Sequence, residues 1–355
     1  MMSNDYTEEM VGIRRHLHKR PEEGWTEFET TWFIVQRLRK LGLPVTIGKA
    51  NICESEVLGR DPLLVSDAMK RAAAHGVPEE FLKATEGYTG AVARFDTGRP
   101  GPTTAFRSDI DCVLVRETGD PKHLPNQLGF ASERPGFMHA CGHDGHTAVG
   151  LGVAHWLVDN KDRLCGKFIL IFQPAEEGVR GARAMAASGM VDHVDYFLGG
   201  HVGGAAKLGE IAVMDGGFLA STKFDITIEG TPAHAGNSPE LGHSALMAAC
   251  AASLMLQGIP RNSHGETRVS VGKLEAGEGR NVIPAHAKLQ MEVRGETMAV
   301  NQFMADYVYD IFAGVDKAYR VKSTVVKAGE SVTLTPCPEI YPIIEKVMNR
   351  IPGTK

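Results

Sequence analysis

The residues Met138-His139-Ala140-Cys141-Gly142-His143-Asp144-Gly145-His146-Thr147 crowd three imidazoles, a thiol and a carboxylate into ten positions. Cys141 and His143 are two apart, a spacing that on an extended turn lets both side chains point to one side. Glu176-Glu177 and His201 follow downstream, each closing an apolar run. These are the residue types that bind a divalent cation, and a bound cation makes water nucleophilic by lowering its pKa to about 7. Cys141, His143, Glu177 and His201 are therefore candidate ligands, with the thiolate able to bridge two metals. Adjacent carboxylates on a turn point in different directions, so Glu177 can ligate while Glu176 stays free as a general base. Taken singly, each group also fits an ordinary role: a strand-end histidine, a solvated acidic turn, an inert core thiol. A Cys/His nucleophilic pair is a competing chemistry. His139, Asp144 and His146 read as supporting residues.

The elements that must position these groups favour the metal reading. Residues 7–19 and 27–41 carry helical apolar stripes, with Thr7 as N-cap of the first; His16 and His18 read as surface or supporting groups. Two short helices, 61–75 and 78–85, precede strands at 89–95 and 103–107. Residues 116–137 form a long polar loop that leads into the histidine-rich stretch. A helix from 147 to 160 is followed by Lys167-Phe168-Ile169-Leu170-Ile171-Phe172-Gln173, apolar enough to be buried on both faces of a sheet. A helix at 180–188 and a strand ending at His201 complete this part. Asp109, Glu176, Glu177 and His201 all lie just past C-terminal strand ends, where open α/β sheets bind ligands. Beyond Phe218 the order is strand (223–229), helix (243–257), strand (267–271), strand (287–294), helix (298–313) and strand (319–326), a split-βαβ or ferredoxin-like unit. A final helix begins near residue 338.

At 355 residues the chain exceeds one ordinary core, and two domains are expected. With 43% apolar and 23% charged residues it has a globular composition, and a net charge of −5 argues against nucleic acid or an anionic membrane as partner. The N-terminus has no secretory pattern and no apolar run reaches bilayer-spanning length, so a cytoplasmic protein is expected. The six cysteines show no CxxC spacing and read, Cys141 excepted, as plain buried thiols in a reducing compartment.

The motifs together resemble a known family. Arg107-Ser108-Asp109-Ile110-Asp111, the stretch from Met138 to Thr147, Phe172-Gln173-Pro174-Ala175-Glu176-Glu177-Gly178, Gly230-Thr231-Pro232-Ala233-His234-Ala235-Gly236 and Gly279-Arg280-Asn281-Val282-Ile283-Pro284 are similar to those of the M20 metallopeptidase amidohydrolases. The branch is that of hippurate, N-acyl-amino-acid and auxin-conjugate hydrolases, and the resemblance runs over essentially the whole chain. It implies an open mixed α/β sheet flanked by helices, formed by residues 1–216 and 332–355, with an inserted ferredoxin-like α+β lid and dimerisation domain at 217–331. It implies two divalent metal ions, zinc or manganese, bridged by Cys141 and completed by His143, Glu177 and His201; thiolate favours the softer zinc. Glu176 would be general base and acid, Asp109 and Asp111 would orient ligands, and His234 would meet the developing oxyanion. Asn281 and Arg294 would hold the substrate carboxylate.

The reaction so implied is hydrolysis of an N-acyl or N-aroyl amino-acid amide, p-aminobenzoyl-glutamate being the expected substrate, by a homodimer or a heterodimer with a related subunit. The family pattern continues with a Gly-Ser-Glu-Asp-like segment and a last histidine ligand. Residues 335–355 contain no histidine, so the C-terminal part of the catalytic domain is expected to be missing. The competing expectation is a non-catalytic remnant that keeps metal binding or serves only to pair with another chain.

Overall fold

The computed structural model describes residues 4–351 except 205, 215 and 336. The chain forms two compact units, the first ending at Leu208 and the second starting at Gly209.

The first unit begins with α1 (Asn4–His18), α2 (Phe28–Lys40), β1 (Val45–Ile47), α3 (Pro62–Ala74), α4 (Glu79–Ala84), β2 (Ala91–Asp96) and β3 (Thr103–Asp109). It continues with α5 (Leu124–Gln127), α6 (His143–Asp159), β4 (Lys167–Gln173), α7 (Ala182–Ala186) and β5 (Tyr196–Gly199). The strands form one sheet in the order β1-β2-β4-β3-β5. β4 runs antiparallel to β2 and parallel to β3, and β5 is parallel to β3, so the sheet is mixed, as expected. Leu170, Ile171 and Phe172 are buried at successive positions of β4, which requires cover on both faces. α6 packs on β3 and β4, and Gly150 allows the approach: a Cβ there would lie 2.5 Å from Ser108 Oγ and 2.9 Å from Phe172 Cε1. Glycine inside a helix costs ~1 kcal/mol relative to alanine. Burial of Phe172 contributes ~1.5–3 kcal/mol, so close packing wins.

Register decides where the chemistry lies. Asp109 stands opposite Gln173 in the β3–β4 pair, and Arg107 opposite Gly199 in the β3–β5 pair. The segments carrying Asp111, Glu176-Glu177 and His201 thus leave the sheet from one edge.

Several boundaries differ from expectation. α1 starts at Asn4, which places Thr7 inside the helix rather than at its cap. α6 starts at His143, four residues early, because Gly142 adopts φ +87° and turns the chain into the helix. β1 and α5 were not anticipated; at three and four residues they are too short to show a period. Of the six cysteines only Cys112 is buried, while Cys165, Cys250 and Cys337 are exposed, against the expectation of core thiols.

The second unit contains β6 (Ala220–Glu229), α8 (Ala245–Gln257), β7 (Thr267–Ala276), β8 (His286–Gly295), α9 (Met298–Tyr319), β9 (Lys322–Ser331) and α10 (Tyr341–Met348). Its antiparallel sheet has the order β7-β8-β6-β9, the ferredoxin-like arrangement. Phe224, Ile226 and Ile228 of β6 are each 1% exposed and alternate with exposed residues. A one-residue slip would turn all three to water at ~1.5–3 kcal/mol each, which pins the register. α9 runs six residues past the expected end at 313, through Gly314, because Val315 is buried against the sheet. β9 accordingly starts later. After β9, the Thr333 hydroxyl donates to the Phe218 carbonyl at 2.9 Å.

Candidate metal centre

Cys141 lies on the turn before α6 and His143 is the first residue of that helix. Glu176 and Glu177 occupy the turn after β4, His201 follows β5, and Asp109 and Asp111 end and follow β3. One donor atom from each of Cys141, His143 and His201 lies within 4.8 Å of the other two, and the same holds for His143, Glu176 and Glu177. The groups singled out from the first unit's sequence are thus brought together.

His143 is oriented by Asp111. Its Nδ1 lies 3.0 Å from the Asp111 carbonyl oxygen and 3.1 Å from Asp111 Oδ1. Both are acceptors, so Nδ1 carries a proton and donates it, which leaves Nε2 as the nitrogen that faces the site. Nε2 stands 3.9 Å from both Glu176 Oε2 and Glu177 Oε1. His143 Nε2 and Glu177 Oε1 are buried atoms without a hydrogen-bond partner. Each such atom costs ~1–3 kcal/mol. A divalent cation would satisfy both, and nitrogen, sulfur and carboxylate oxygen form a suitable donor set. The residues therefore fit the metal that the motifs imply. Burial opposes a charge on His143, but Asp111, Asp109 and Glu176 outweigh it and raise its pKa to about 9. The surroundings select positive charge at this point.

Cys141 Sγ is 3.3 Å from His201 Nε2, and the Glu177 carboxylate also acts on the thiol. Burial, then Glu177, push the thiol up to about 12. A cation acts the other way and favours the thiolate. His201 Nδ1 donates to the carbonyl of Val202 at 2.8 Å, leaving its Nε2 lone pair toward Cys141.

Glu176 and Glu177 do not diverge as the sequence suggests; each has a carboxylate oxygen 3.9 Å from His143 Nε2. They differ in surroundings. Burial, then Asp109 and Asp111, raise the Glu176 carboxyl above its ordinary value, with His143 and Arg107 opposing. Glu177 instead donates its backbone N–H to Asp111 Oδ2 at 2.8 Å. One Asp111 carboxylate thus orients two candidate ligands.

Sequence reasoning gave Arg107 no role. Its guanidinium lies against Asp109 and 3.9 Å from Glu176 Oε1. Its position two residues before Asp109, on the same strand face, was the available signal. Glu27 was missed too: fully buried, it accepts the Ala175 N–H at 2.8 Å and the Thr89 hydroxyl at 2.6 Å. Ala175 has φ +50°, a left-handed conformation that L-residues avoid, immediately before the two glutamates. His18 is buried rather than superficial, 2.8 Å from Asp144 and 3.1 Å from Glu117. His139 is buried with neither ring nitrogen hydrogen-bonded, and burial lowers its pKa to about 4.

The second unit holds His234, Asn281 and Arg294. His234 and Asn281 lie exposed on adjoining loop segments: Ala235 N–H donates to the Asn281 carbonyl at 3.0 Å, and His234 bridges Val282. Arg294 sits on β8 with its Nε 2.8 Å from Glu292 Oε1. No helix among the described residues is long and apolar enough to cross a membrane.

Residues 105–350 match the family model described as Peptidase family M20/M25/M40. The chain is 47% identical over 340 residues to a Haemophilus influenzae homolog of one subunit of p-aminobenzoyl-glutamate hydrolase, a match covering 96% of this chain and 80% of that protein. It is 44% identical over 349 residues to an indole-3-acetyl-aspartic acid hydrolase of Enterobacter agglomerans, covering 98% of this chain and 80% of that protein. Among solved structures, an aminobenzoyl-glutamate utilization protein from Klebsiella pneumoniae is similar with a TM-score of 0.84 at 39% identity, covering 99% of this chain and 83% of that one.

Proposed function

The chain belongs to peptidase family M20/M25/M40, and we propose that it hydrolyses the amide bond between an aromatic acyl group and an acidic amino acid. It is a metal-dependent amidohydrolase of that family. The two relatives are named for p-aminobenzoyl-glutamate and indole-3-acetyl-aspartate. Those compounds share an aromatic acyl group and an amino acid with a second carboxylate. The substrate proposed for this chain is p-aminobenzoyl-glutamate, cleaved to p-aminobenzoate and glutamate.

The observation that carries the reading is the convergence of Cys141, His143, Glu176, Glu177 and His201, with His143 Nε2 and Glu177 Oε1 buried and unpaired. Cys141, His143, Glu177 and His201 would hold two divalent ions, zinc or manganese, with Cys141 shared. Such ions, when bound, activate water and polarise a carbonyl oxygen.

Everything else is done by side chains. Glu176 accepts the proton of the attacking water and delivers it to the leaving amine nitrogen; burial, Asp109 and Asp111 raise its carboxyl above the ordinary value, the direction that favours holding a proton in transit. Asp111 holds His143 and Glu177 in place. His234 is assigned to the oxyanion, and Asn281 and Arg294 to the substrate carboxylate, where a guanidinium pairs well. Residues 217–331 are assigned as lid and dimerisation domain. Assembly is as a homodimer or with a related subunit, in the cytoplasm.

A panel of conjugates tests this reading. p-Aminobenzoyl-glutamate and indole-3-acetyl-aspartate should be cleaved at least ~10-fold more efficiently than the same acyl groups on alanine, since a charged hydrogen bond contributes ~1.5–3 kcal/mol. Equal or better rates on the alanine conjugates would refute the acidic-amino-acid assignment.

A further inference from the structure

We propose that His146 is a positioning residue that fixes the tautomer and ring orientation of His201 through the backbone of Val202. The inference rests on the reading of Cys141, His143 and His201 as metal ligands.

His146 is 5% exposed and has no part in the ligand set or the proton transfer proposed for this chain. Both its ring nitrogens are engaged. The Val202 N–H donates to His146 Nε2 at 3.0 Å. A backbone N–H can only donate, so Nε2 carries the lone pair and the ring proton is on Nδ1. Nδ1 lies 3.2 Å from Asp109 Oδ2, which accepts that proton's hydrogen bond. The Val202 carbonyl, which belongs to the next peptide unit and can only accept, lies 2.8 Å from His201 Nδ1. The His201 proton is therefore on Nδ1 and its Nε2 is left free, 3.3 Å from Cys141 Sγ. Hydrogen bonds run in one direction at every link of Asp109, His146, Val202 and His201.

Two contacts reinforce the link. The His146 and His201 rings meet edge to face with centroids 4.5 Å apart. The Val202 side chain packs on Gly142, where a Cβ would come within 2.5 Å of Val202 Cγ2. Gly142 separates Cys141 from His143, so Val202 touches the turn carrying two of the ligands. The same bond directions rule out the alternative that His146 joins Asp109 and His143 as a cation ligand: neither of its nitrogens has a lone pair to spare.

Removing the acceptor at His146 leaves the Val202 N–H unpaired and frees the residue whose carbonyl turns His201. Loss of an outer partner of a ligating histidine typically weakens metal binding 10–100-fold. The test titrates Zn2+ calorimetrically into the full chain and its variants, with the visible spectrum of the Co2+ form as a second readout and the metal-free melting temperature as a check on folding. His146→Leu should bind Zn2+ at one site ~10–100-fold more weakly and shift the Co2+ spectrum. His146→Gln, whose amide oxygen reaches the place of Nε2, should recover most of the affinity. His146→Asn keeps the Asp109 bond but falls short of Val202, and should not recover it; this Gln–Asn comparison decides the matter if the leucine variant does not fold. Wild-type affinity in His146→Leu, or equal affinity in the Gln and Asn variants, overturns the proposal while leaving the metal site intact. A wild-type chain that takes up no Zn2+ overturns the site reading and this inference together.

Discussion

Asp111 Oδ1 lies 3.1 Å from His143 Nδ1, and this pairing turns the unpartnered Nε2 of a fully buried imidazole toward two carboxylates. Because Asp111 Oδ2 also accepts the Glu177 N–H, the residue acts on two candidate ligands at once. Asp111→Ala should weaken metal binding ~10–100-fold. Asp111→Asn can keep one of the two bonds and should fall between alanine and wild type. Equilibrium titration with Zn2+ reads the effect; wild-type affinity in both variants would remove Asp111 from the account.

Glu176 is assigned to proton transfer rather than to metal binding. Glu176→Gln should therefore lower kcat by ~10²–10⁴-fold, the usual contribution of a general acid–base group. Metal content should stay at the wild-type level. Loss of metal in this variant would make Glu176 a ligand instead, and retained turnover would leave the proton without a carrier.

Glu27 supplies a pH dependence of stability. Burial, then Asp111, push its carboxyl up to about 8 from an ordinary 4.5. The folded chain therefore keeps a proton that the unfolded chain releases. The stability tied to this proton is fully present below the ordinary value and is lost as pH rises toward 8, by up to ~1.4 kcal/mol per pH unit. Urea unfolding between pH 5 and 9 should show this slope, and Glu27→Gln, which carries no titrating proton, should flatten it. An unchanged slope in that variant would show that Glu27 does not titrate in this range.

Much of the site was legible because ligand chemistry and strand ends are local features of a sequence. Cys141, His143, Glu177 and His201 announce themselves by residue type, and the apolar run of β4 says where its turn must fall. The ferredoxin-like order was equally readable from the alternation in β6 and β8. The supports were not. Glu27 meets Ala175, and His18 meets Asp144, across more than a hundred residues each, and no period in a sequence encodes such pairs. The helical start at His143 was hidden by Gly142, since a glycine that opens a helix looks like one that interrupts a loop. Ala175, immediately before Glu176 and Glu177, is left-handed, a conformation its residue type does not advertise.

Amide hydrolysis by this chain should require metal held by Cys141, His143, Glu177 and His201. The most direct test measures bound metal and p-aminobenzoate release on the same samples as Zn2+ or Mn2+ is removed by a chelator and restored. Turnover of p-aminobenzoyl-glutamate should fall with metal content and return with it, and Cys141→Ala and His201→Ala should lose both. Full turnover in protein stripped of metal, or a chain that binds no metal while cleaving the amide, would contradict this requirement.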